Sequence, residues 1–470
     1  MQSYYDLIVL GGSKSGVLAS SYAGFLGAKV LLIEKHDFQV SINSGKLSFR
    51  TLFGVSRILN LGRKTKNYGF KIDESGLSLS KVYDEVKKVS EKEHQKQVEL
   101  LKTSNVHVEF GDFHFTDENT GVLEREEGKL ELRFKKCIIA SGSIPFIPKI
   151  KGLDSLSFYT YENIFSLKEV PKELILLGGG PFGILFAQFF ARMGSKVKII
   201  QRTDGILPKE EKLVSTTLLP VLKSDGIEVY LNDVPLEFTL NNNLFTAKLT
   251  NSSGKNFDIT GTHLLVCTGR KPNVENFDLD KAEIKFDLHG VKHNDYLRTT
   301  DKRVYVVGDA SDTGLYSNVD EEHAFIAVKN ALFFIPVLSP RTKVSTLVVP
   351  YSISCQPEVS RVGFTEEEVK ELELKYKTYV VPIQGGFLKI ITNSKQMIIG
   401  CTCVGKNSSG LINQISFAIS NNIPVTKLIE FVRVDGNNFD AINRISELAL
   451  KDSFSLSKKN FFKWVFKLKG

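Results

Sequence analysis

Two stretches of the chain carry the same order of apolar and amphipathic segments. Residues 7–37 read LIVLGGSKSGVLASSYAGFLGAKVLLIEKHD, and residues 174–204 read LILLGGGPFGILFAQFFARMGSKVKIIQRTD, aligned without a gap at a constant offset of 167 positions. Each copy predicts an apolar strand, a glycine turn, an amphipathic helix and a second apolar strand. Continuous apolar runs are typical of parallel strands that are buried on both faces. Each copy is therefore predicted to be a βαβ nucleotide-binding unit.

The second copy carries a complete glycine motif. Gly178, Gly180 and Gly183 form G-x-G-x-x-G. In this motif the first glycine allows a tight turn, the second lets a pyrophosphate approach the backbone, and the third packs the helix on the strand. A polar residue follows the first glycine at the same distance in both copies, Glu34 in the first and Gln201 in the second. The repeated context favours nucleotide binding over glycines that only shape turns.

The first copy departs from the motif at one position. Its turn contains Gly11, Gly12 and Gly16, but Ser13 replaces the second glycine and Lys14 follows it. The Cβ atom of a serine crowds a pyrophosphate, whereas the serine hydroxyl and the lysine ammonium are both able to bind one. The first copy is therefore a less regular phosphate site than the second.

Three shorter segments also read as a strand followed by a glycine turn. They are CIIASGSIPFIP (137–148), LLVCTGRKPN (264–273) and TTDKRVYVVGDA (299–310). Their turns contain the further candidate residues Gly142, Ser143, Gly269, Gly308 and Asp309.

Length and composition place the chain among ordinary globular proteins. Its 470 residues are enough for two to four domains, and 42% are apolar and 24% charged. The start MQSYYDLIVLGG runs directly into a strand, so no signal peptide is expected, and no apolar run is long enough to span a bilayer. Five cysteines, an odd number scattered from Cys137 to Cys403, do not indicate a disulfide framework. A reducing, cytoplasmic location is the expectation.

The net charge of +8 is concentrated at one end of the chain. Five lysines and no acid occur in KKNFFKWVFKLKG (458–470), so the rest of the chain carries only +3 and predicts no nucleic-acid surface. On a helix, the apolar residues of this tail share one face and Lys459, Lys463 and Lys467 line another. One interpretation is peripheral association with an anionic membrane. The other is a helix that packs on its own dimer with solvated lysines.

The motifs, in this order, resemble the FAD-dependent pyridine nucleotide–disulfide oxidoreductases, the group of dihydrolipoamide dehydrogenase, mercuric reductase and soluble transhydrogenase. The likeness covers residues 4 to about 451 and includes PEVSRVGFTEEEVKE (357–371) and IIGCTCVGKNSSGLINQISFAI (398–419), which look like the dimerisation domain of the family. The resemblance implies an α/β fold with two Rossmann-like nucleotide-binding domains, for FAD and NAD(P), and an α+β C-terminal dimerisation domain. It also implies a homodimer.

The same resemblance gives the expected domain limits. The FAD-binding domain would comprise residues 1–150 and 275–342, with the NAD(P)-binding domain, residues 151–274, inserted between its two parts. Residues 343–452 would form the dimerisation domain, and residues 453–470 the basic aromatic tail.

The resemblance further assigns cofactors to the two repeats. Glu34 would bind the adenosine ribose of FAD and Asp309 its ribityl chain, although a solvated strand-end acid and a turn former are the plainer interpretations. Gln201 replaces the acid that repels a 2′-phosphate and Arg202 follows it, which permits NADPH and disfavours strict NADH selectivity. The remaining implied contacts are Gly11, Gly12, Ser13, Gly16, Lys35, Arg50, Gly142, Ser143 and Gly308 for FAD, and Gly178, Gly180, Gly183 and Gly269 for NADPH or NADH.

The thiol chemistry of the family is missing. Family members carry two cysteines in the segment that corresponds to SINSGKLSFRTL (41–52), but no cysteine precedes Cys137. The histidine base of the family would lie within residues 431–446, but no histidine follows His323. A site without thiols has no use for that base, so the two losses agree. The five cysteines, including the C-x-C pair Cys401 and Cys403, are interpreted as buried strand thiols rather than a metal site.

The residues that pair beside flavin and nicotinamide in the family also differ. The lysine position falls near Phe49 or Arg50, and the glutamate position is Leu185. Arg50 would preserve a positive charge near the flavin, but Leu185 gives it no carboxylate partner.

Two classes of function are consistent with these features. The first is an NAD(P)H-dependent flavoprotein that passes electrons to a quinone or another small non-disulfide acceptor. A transhydrogenase is a variant of this class. The second is a catalytically degenerate flavin- or nucleotide-binding dimer with a binding or sensing role.

Overall fold

A computed structural model describes residues 3–35, 46–312, 319–335, 337–432, 438–454 and 456–469. The chain divides into two compact units, one of residues 1–203 and 225–347 and the other of residues 204–224 and 348–470. Among the described residues, every helix is too short or too polar to cross a bilayer.

The strands follow one another along the chain as listed here. In the first half they are β1 (Ser3–Leu10), β2 (Val30–Glu34), β3 (His107–Phe110), β4 (Asp112–Asp117), β5 (Thr120–Arg125), β6 (Gly128–Ile139), β7 (Ser143–Pro145), β8 (Glu173–Leu177), β9 (Lys196–Gln201), β10 (Glu228–Leu231) and β11 (Val234–Asn241). In the second half they are β12 (Leu244–Thr250), β13 (Asn256–Gly261), β14 (His263–Val266), β15 (Arg270–Pro272), β16 (Phe286–Asp287), β17 (Gly290–Val291), β18 (Val304–Val306), β19 (Tyr351–Ile353), β20 (Glu358–Gly363), β21 (Tyr376–Ile383), β22 (Gly386–Asn393) and β23 (Ile398–Gly405).

The α-helices lie between these strands and at the C-terminal end. They are α1 (Lys14–Phe25), α2 (Lys46–Lys64), α3 (Leu79–Thr103), α4 (Pro181–Arg192), α5 (Lys212–Ser224), α6 (Asp320–Leu332), α7 (Glu366–Glu371), α8 (Ser408–Ser420), α9 (Asp440–Ser453) and α10 (Leu456–Lys469).

The first unit contains a mixed sheet in the order β3-β2-β1-β6-β5-β4, with β18 paired to β6. Strand β1 runs parallel to both β2 and β6, so that Leu10 lies between Ile33 and Ile139. Helix α1 buries small side chains, among them Ala19, Ser20 and Ala23, which allows the helix backbone to lie close to the strands. The first repeat is therefore a βαβ unit whose turn lies at the carboxyl end of β1, as its pattern predicts.

The second repeat forms its own parallel sheet in the order β10-β9-β8-β14, accompanied by an antiparallel sheet of β11, β12 and β13. Strand β8 leads through the glycine turn into α4 and then into β9, which pairs parallel with β8. The prediction of a second βαβ unit is confirmed.

The second unit is built on an antiparallel sheet in the order β19-β20-β23-β22-β21. Helices α8 and α9 contribute Ile415 and Ile445 to a core that also contains Leu388, Cys401 and Cys403. The residues 204–224, which include α5, belong to this unit. Two parallel nucleotide-binding units and an α+β C-terminal unit confirm the predicted fold class.

Candidate functional site

The two glycine turns have the same geometry at their first and third glycines. Gly11 and Gly178 have φ angles of 107° and 110°, a region that side chains with a Cβ avoid. A Cβ on Gly11 would lie 2.6 Å from the carbonyl oxygen of Ala140, and one on Gly178 would lie 2.5 Å from that of Cys267. Glycine is therefore required at the start of both turns by the neighbouring strand end.

The third glycine of each motif holds the helix on the turn. A Cβ on Gly16 would lie 2.0 Å from the oxygen of Gly11, and one on Gly183 would lie 1.9 Å from the oxygen of Gly178. No rotation of a side chain relieves such a contact, because both partners are backbone atoms. The roles predicted for these two glycines follow directly from their surroundings.

The second glycine position distinguishes the two turns. A Cβ on Gly180 would meet nothing within 4 Å, so space remains where a pyrophosphate would approach the helix start. At the equivalent position Ser13 caps α1: its hydroxyl donates to the carbonyl oxygen of Ala140 at 2.7 Å and accepts the amide of Gly16 at 3.3 Å. The serine hydroxyl thus serves the turn itself, and Lys14 pairs with Glu321 at 2.6 Å.

The polar residues at the strand ends bind the turns. A carboxylate oxygen of Glu34 accepts the amide of Gly12, and the other accepts the amide of Lys35 at 2.8 Å. Gln201 repeats this arrangement, since its Oε1 accepts the amide of Gly179 at 2.8 Å. The polar side chain predicted to face each nucleotide therefore does reach the glycine turn.

The flanking residues of these strand ends are solvent-exposed. The ammonium group of Lys35 lies 2.9 Å from the carboxylate of Asp112. Arg202 is exposed directly after Gln201.

Asp309 lies at the centre of a polar cluster. Its carboxylate accepts the hydroxyl of Ser143 at 2.9 Å and also binds the guanidinium of Arg270. Arg270 donates in addition to the Ser143 hydroxyl at 3.3 Å, and the Tyr161 hydroxyl donates to the carbonyl oxygen of Ser143 at 3.3 Å. Burial raises the pKa of the Tyr161 phenol, so this group stays a hydrogen-bond donor. The cluster brings together two predicted site residues, Ser143 and Asp309. Tyr161 and Arg270, which also belong to it, were not predicted.

Glycines with left-handed backbone angles flank this cluster. Gly142, Gly269 and Gly308 have φ angles of 69°, 128° and 61°, and the first two precede the paired strands β7 and β15. Arg270 directly follows the selected Gly269 in the segment GRKPN. Because Arg270 lies next to a glycine at a strand end, the sequence alone could have indicated that it belongs to the polar cluster.

Phenyl rings fill the region next to the Asp309 cluster. Phe49 of α2 is 4% exposed, and its ring centroid lies 5.2 Å from that of Phe182 and 5.8 Å from that of Phe186. Tyr161 stacks on Phe182 at 5.4 Å, and the guanidinium carbon of Arg270 lies 6.0 Å from the same ring. We call this set the ring cluster; it consists of Phe49, Phe53, Tyr161, Phe165, Phe182 and Phe186.

The ring cluster includes Phe49, one of the two residues near which the resemblance implies a lysine. Phe49 faces inward, whereas the side chain of Arg50 is exposed on α2. Leu185 is half-buried on α4. Residues 41–45 of the segment SINSGKLSFRTL lie outside the described residues, as do residues 433–437 of the stretch that corresponds to the histidine base.

The thiols are not placed for reaction. All five cysteines are buried, and none of them forms a disulfide. Burial raises the pKa of Cys137, Cys267 and Cys401, and that of Cys403 to about 12, so the nucleophilic thiolate is suppressed at neutral pH. The five thiols are buried as predicted. Cys137, Cys401 and Cys403 lie in strands, whereas Cys267 follows the end of β14 and Cys355 follows the end of β19.

The comparisons with known proteins agree with the geometry. The family model for pyridine nucleotide-disulphide oxidoreductases matches residues 5–331, and that for the dimerisation domain of the same family matches residues 349–434. The chain belongs to this family. Its members use FAD and NAD(P)H as cofactors, and the dimerisation domain supports a homodimer.

Named relatives cover almost the whole chain. A mercuric reductase of Lysinibacillus sphaericus is 26% identical over 441 residues, which are 91% of this chain and 79% of the relative. A dihydrolipoyl dehydrogenase of Bacillus subtilis is 26% identical over 444 residues, 91% of this chain and 94% of the relative. Among solved structures, the Cu(II) complex of the HOCl-induced flavoprotein disulfide reductase RclA from Escherichia coli has a TM-score of 0.83 at 22% identity, covering 95% of this chain and 100% of that one. This last likeness shows the fold.

Proposed function

We propose that the protein is an FAD-dependent NAD(P)H oxidoreductase that has no redox-active disulfide and passes electrons from its flavin to a quinone or another small non-disulfide acceptor. The observation that carries the proposal is the combination of two glycine turns, each bound by the polar residue at the following strand end, with a sequence that has no cysteine before Cys137. Bound FAD would supply two-electron acceptance from NAD(P)H and donation to the acceptor.

The residues that would hold the FAD are those of the first turn and the Asp309 cluster. The amides of the turn of α1 suit a pyrophosphate. Glu34 would exchange its bond to Gly12 for the ribose hydroxyls, and Asp309 would bind the ribityl chain. Arg50, Gly142, Ser143 and the other residues assigned through the resemblance complete the proposed set.

The coenzyme would bind at the second turn. Gly180 leaves room for its pyrophosphate, and the neutral Gln201 with the exposed Arg202 would accept either a ribose hydroxyl or a 2′-phosphate. NADPH is the preferred coenzyme in this proposal, because no acid at residue 201 repels its phosphate.

A second function has one observation in its favour. The resemblance puts the lysine position near Phe49 or Arg50 and the glutamate position at Leu185, so the carboxylate that would assist transfer between nicotinamide and flavin is missing. A dimer that binds flavin or nucleotide without turnover is consistent with that loss. A transhydrogenase would need the same transfer step as the oxidoreductase.

The visible spectrum of the purified protein separates these functions. We expect a yellow protein containing FAD that is bleached by anaerobic NADPH or NADH without a long-wavelength band that thiol alkylation abolishes. Lipoamide should not be reduced, because no thiol is available to receive electrons from the flavin. A coloured protein that neither coenzyme bleaches would support the non-catalytic dimer, and turnover of lipoamide would contradict the proposal.

The proposal includes peripheral association with an anionic membrane through residues 453–470. A quinone dissolved in the bilayer would then be close to the enzyme that reduces it.

A further inference from the structure

The C-terminal helix exposes an unusual amount of aromatic surface. The side chains of Phe461, Trp464, Phe466 and Leu468 on α10 are 57%, 57%, 70% and 66% exposed. Within the helix, the ring of Phe461 lies 6.0 Å from that of Trp464. These are large side chains whose removal from water would be favourable, so the helix is suited to burial against another surface.

The apolar residues occupy a broad arc of the helix. Phe461, Trp464, Val465 and Leu468 follow the spacing of one helix face. At 100° per residue, Phe462 and Phe466 extend this face to more than half of the circumference. Lys459, Lys463 and Lys467 recur every four residues along the remaining side.

The charge of the helix indicates what it binds. Residues 453–470 contain five lysines and no acidic residue. Partner helices in proteins are commonly matched by pairs of opposite charges. A helix with aromatic residues on one face, and with lysines as its only charged residues, is typical of the boundary of an anionic bilayer. Trp and Phe fit the boundary between headgroups and acyl chains, and lysines are attracted to acidic headgroups.

We infer that α10 is an interfacial helix that lies in the surface of an anionic phospholipid bilayer, with Phe461, Trp464 and Leu468 inserted and Lys459, Lys463 and Lys467 in the headgroup layer. This inference deepens the membrane association within the proposed function and rests on it for the identity of the acceptor. Binding of the helix to lipid does not itself require a flavin. Experiments can therefore refute the interfacial helix without refuting the oxidoreductase function, and the reverse.

The test is cosedimentation of the full-length protein with vesicles of phosphatidylcholine that do or do not contain phosphatidylserine. We expect binding only to the anionic vesicles. Raising the salt from about 0.1 M to about 1 M shortens the Debye length from about 10 Å to about 3 Å and should release most of the protein.

Two variants address the two sides of the helix. The triple substitution Lys459→Gln, Lys463→Gln and Lys467→Gln should lower the partition coefficient roughly 100-fold, since each lysine near a charged leaflet contributes about a factor of five. The double substitution Phe461→Ser and Trp464→Ser should abolish binding even at low salt. The lysines of this variant are unchanged, but it has lost the aromatic side chains that insert into the bilayer. The matched control removes three exposed lysines of α3 (Lys81→Gln, Lys92→Gln and Lys102→Gln), which changes the net charge equally and should leave binding unchanged.

Other binding partners of α10 predict different results. If α10 packs on a second copy of the chain, the Phe461→Ser and Trp464→Ser variant dissociates in sedimentation velocity and vesicle binding is absent in every sample. Equal loss of binding in the α3 control would show a diffuse charge effect and would overturn the inference. Reduction of the bound flavin by NADPH is recorded for each variant. Normal reduction without vesicle binding refutes the interfacial helix alone, and vesicle binding without reduction refutes the oxidoreductase alone.

Discussion

At the scale of single residues, the glycines of the second turn separate into those that the fold requires and one at which the fold leaves room for a side chain. Gly183 is required by the oxygen of Gly178 at 1.9 Å from its hypothetical Cβ. Gly180 meets nothing within 4 Å, and its φ of −76° is open to any residue. The motif predicts a role for each glycine, and the structure adds the contact that makes Gly183 necessary and the open space beside Gly180.

This difference predicts opposite effects for two alanine substitutions. Gly183→Ala should lower the free energy of unfolding by about 3 kcal/mol, because an overpacked backbone contact forces the helix from the strand. Gly180→Ala should leave stability almost unchanged but weaken NADPH binding about tenfold, or about 1.4 kcal/mol. Denaturant unfolding and coenzyme titration of both variants check this. Unchanged coenzyme affinity in Gly180→Ala would remove the assignment of that space to a pyrophosphate.

At the scale of elements, helix α2 presents two unlike faces. Phe49 and Phe53 are 4% and 7% exposed within the ring cluster, with stacked centroids 6.1 Å apart. Arg50 lies between them in sequence and is exposed. Apolar burial, rather than a charged pair, thus anchors this helix beside the candidate site.

Alanine substitutions of Phe49 and Arg50 should therefore have different effects on the free energy of unfolding. Phe49→Ala should reduce the free energy of unfolding by about 3–5 kcal/mol through lost ring contacts and a cavity. Arg50→Ala should change it by less than about 0.5 kcal/mol, as an exposed position does. Stopped-flow flavin reduction gives the second measurement: slower reduction in Arg50→Ala at unchanged stability is what the proposed positive charge near the flavin requires. Equal destabilisation by both substitutions would contradict the two-faced helix.

The secondary-structure elements also explain which parts of the fold and of the candidate site could be predicted from the sequence. The repeat at 7–37 and 174–204 was predictable because strand, turn and helix each have a local period, and Glu34 and Gln201 have fixed places in it. The bond between Ser143 and Arg270 joins residues 127 positions apart, and no local period encodes such a contact. The sequence predicts that Ser13 crowds a phosphate, and only the structure shows that its hydroxyl caps α1 by accepting the amide of Gly16. The ring cluster likewise joins residues that are distant in sequence. The presence of Phe49 and Leu185 in the sequence therefore did not predict it.

At the scale of the whole molecule, acid acts on the two compact units through different groups. In the first unit His323 is 3% exposed, and burial, assisted by His293, lowers its pKa from 6.5 to about 4. In the second unit hydrogen bonds from Lys389 and Lys370 lower the pKa of Glu366 from 4.5 to about 2. The stability supplied by Glu366 is complete above pH 4.5 and is lost as the pH falls toward 2.

The pH dependence of His323 begins at a higher pH. Below pH 6.5 the unfolded chain takes up a proton that the buried imidazole refuses, so the free energy of unfolding of the first unit falls until about pH 4, by an amount on the order of 3 kcal/mol. His323→Gln should flatten the dependence of the melting temperature on pH as the pH falls from 6.5 to about 5, a range in which Glu366 is mostly ionised in both the folded and the unfolded state. The exposed His289→Gln should keep the parent slope, and Glu366→Gln should alter it only below about pH 4.5. Scanning calorimetry across this range decides the point, and an undiminished slope in His323→Gln would show that another group carries the acid sensitivity of the first unit.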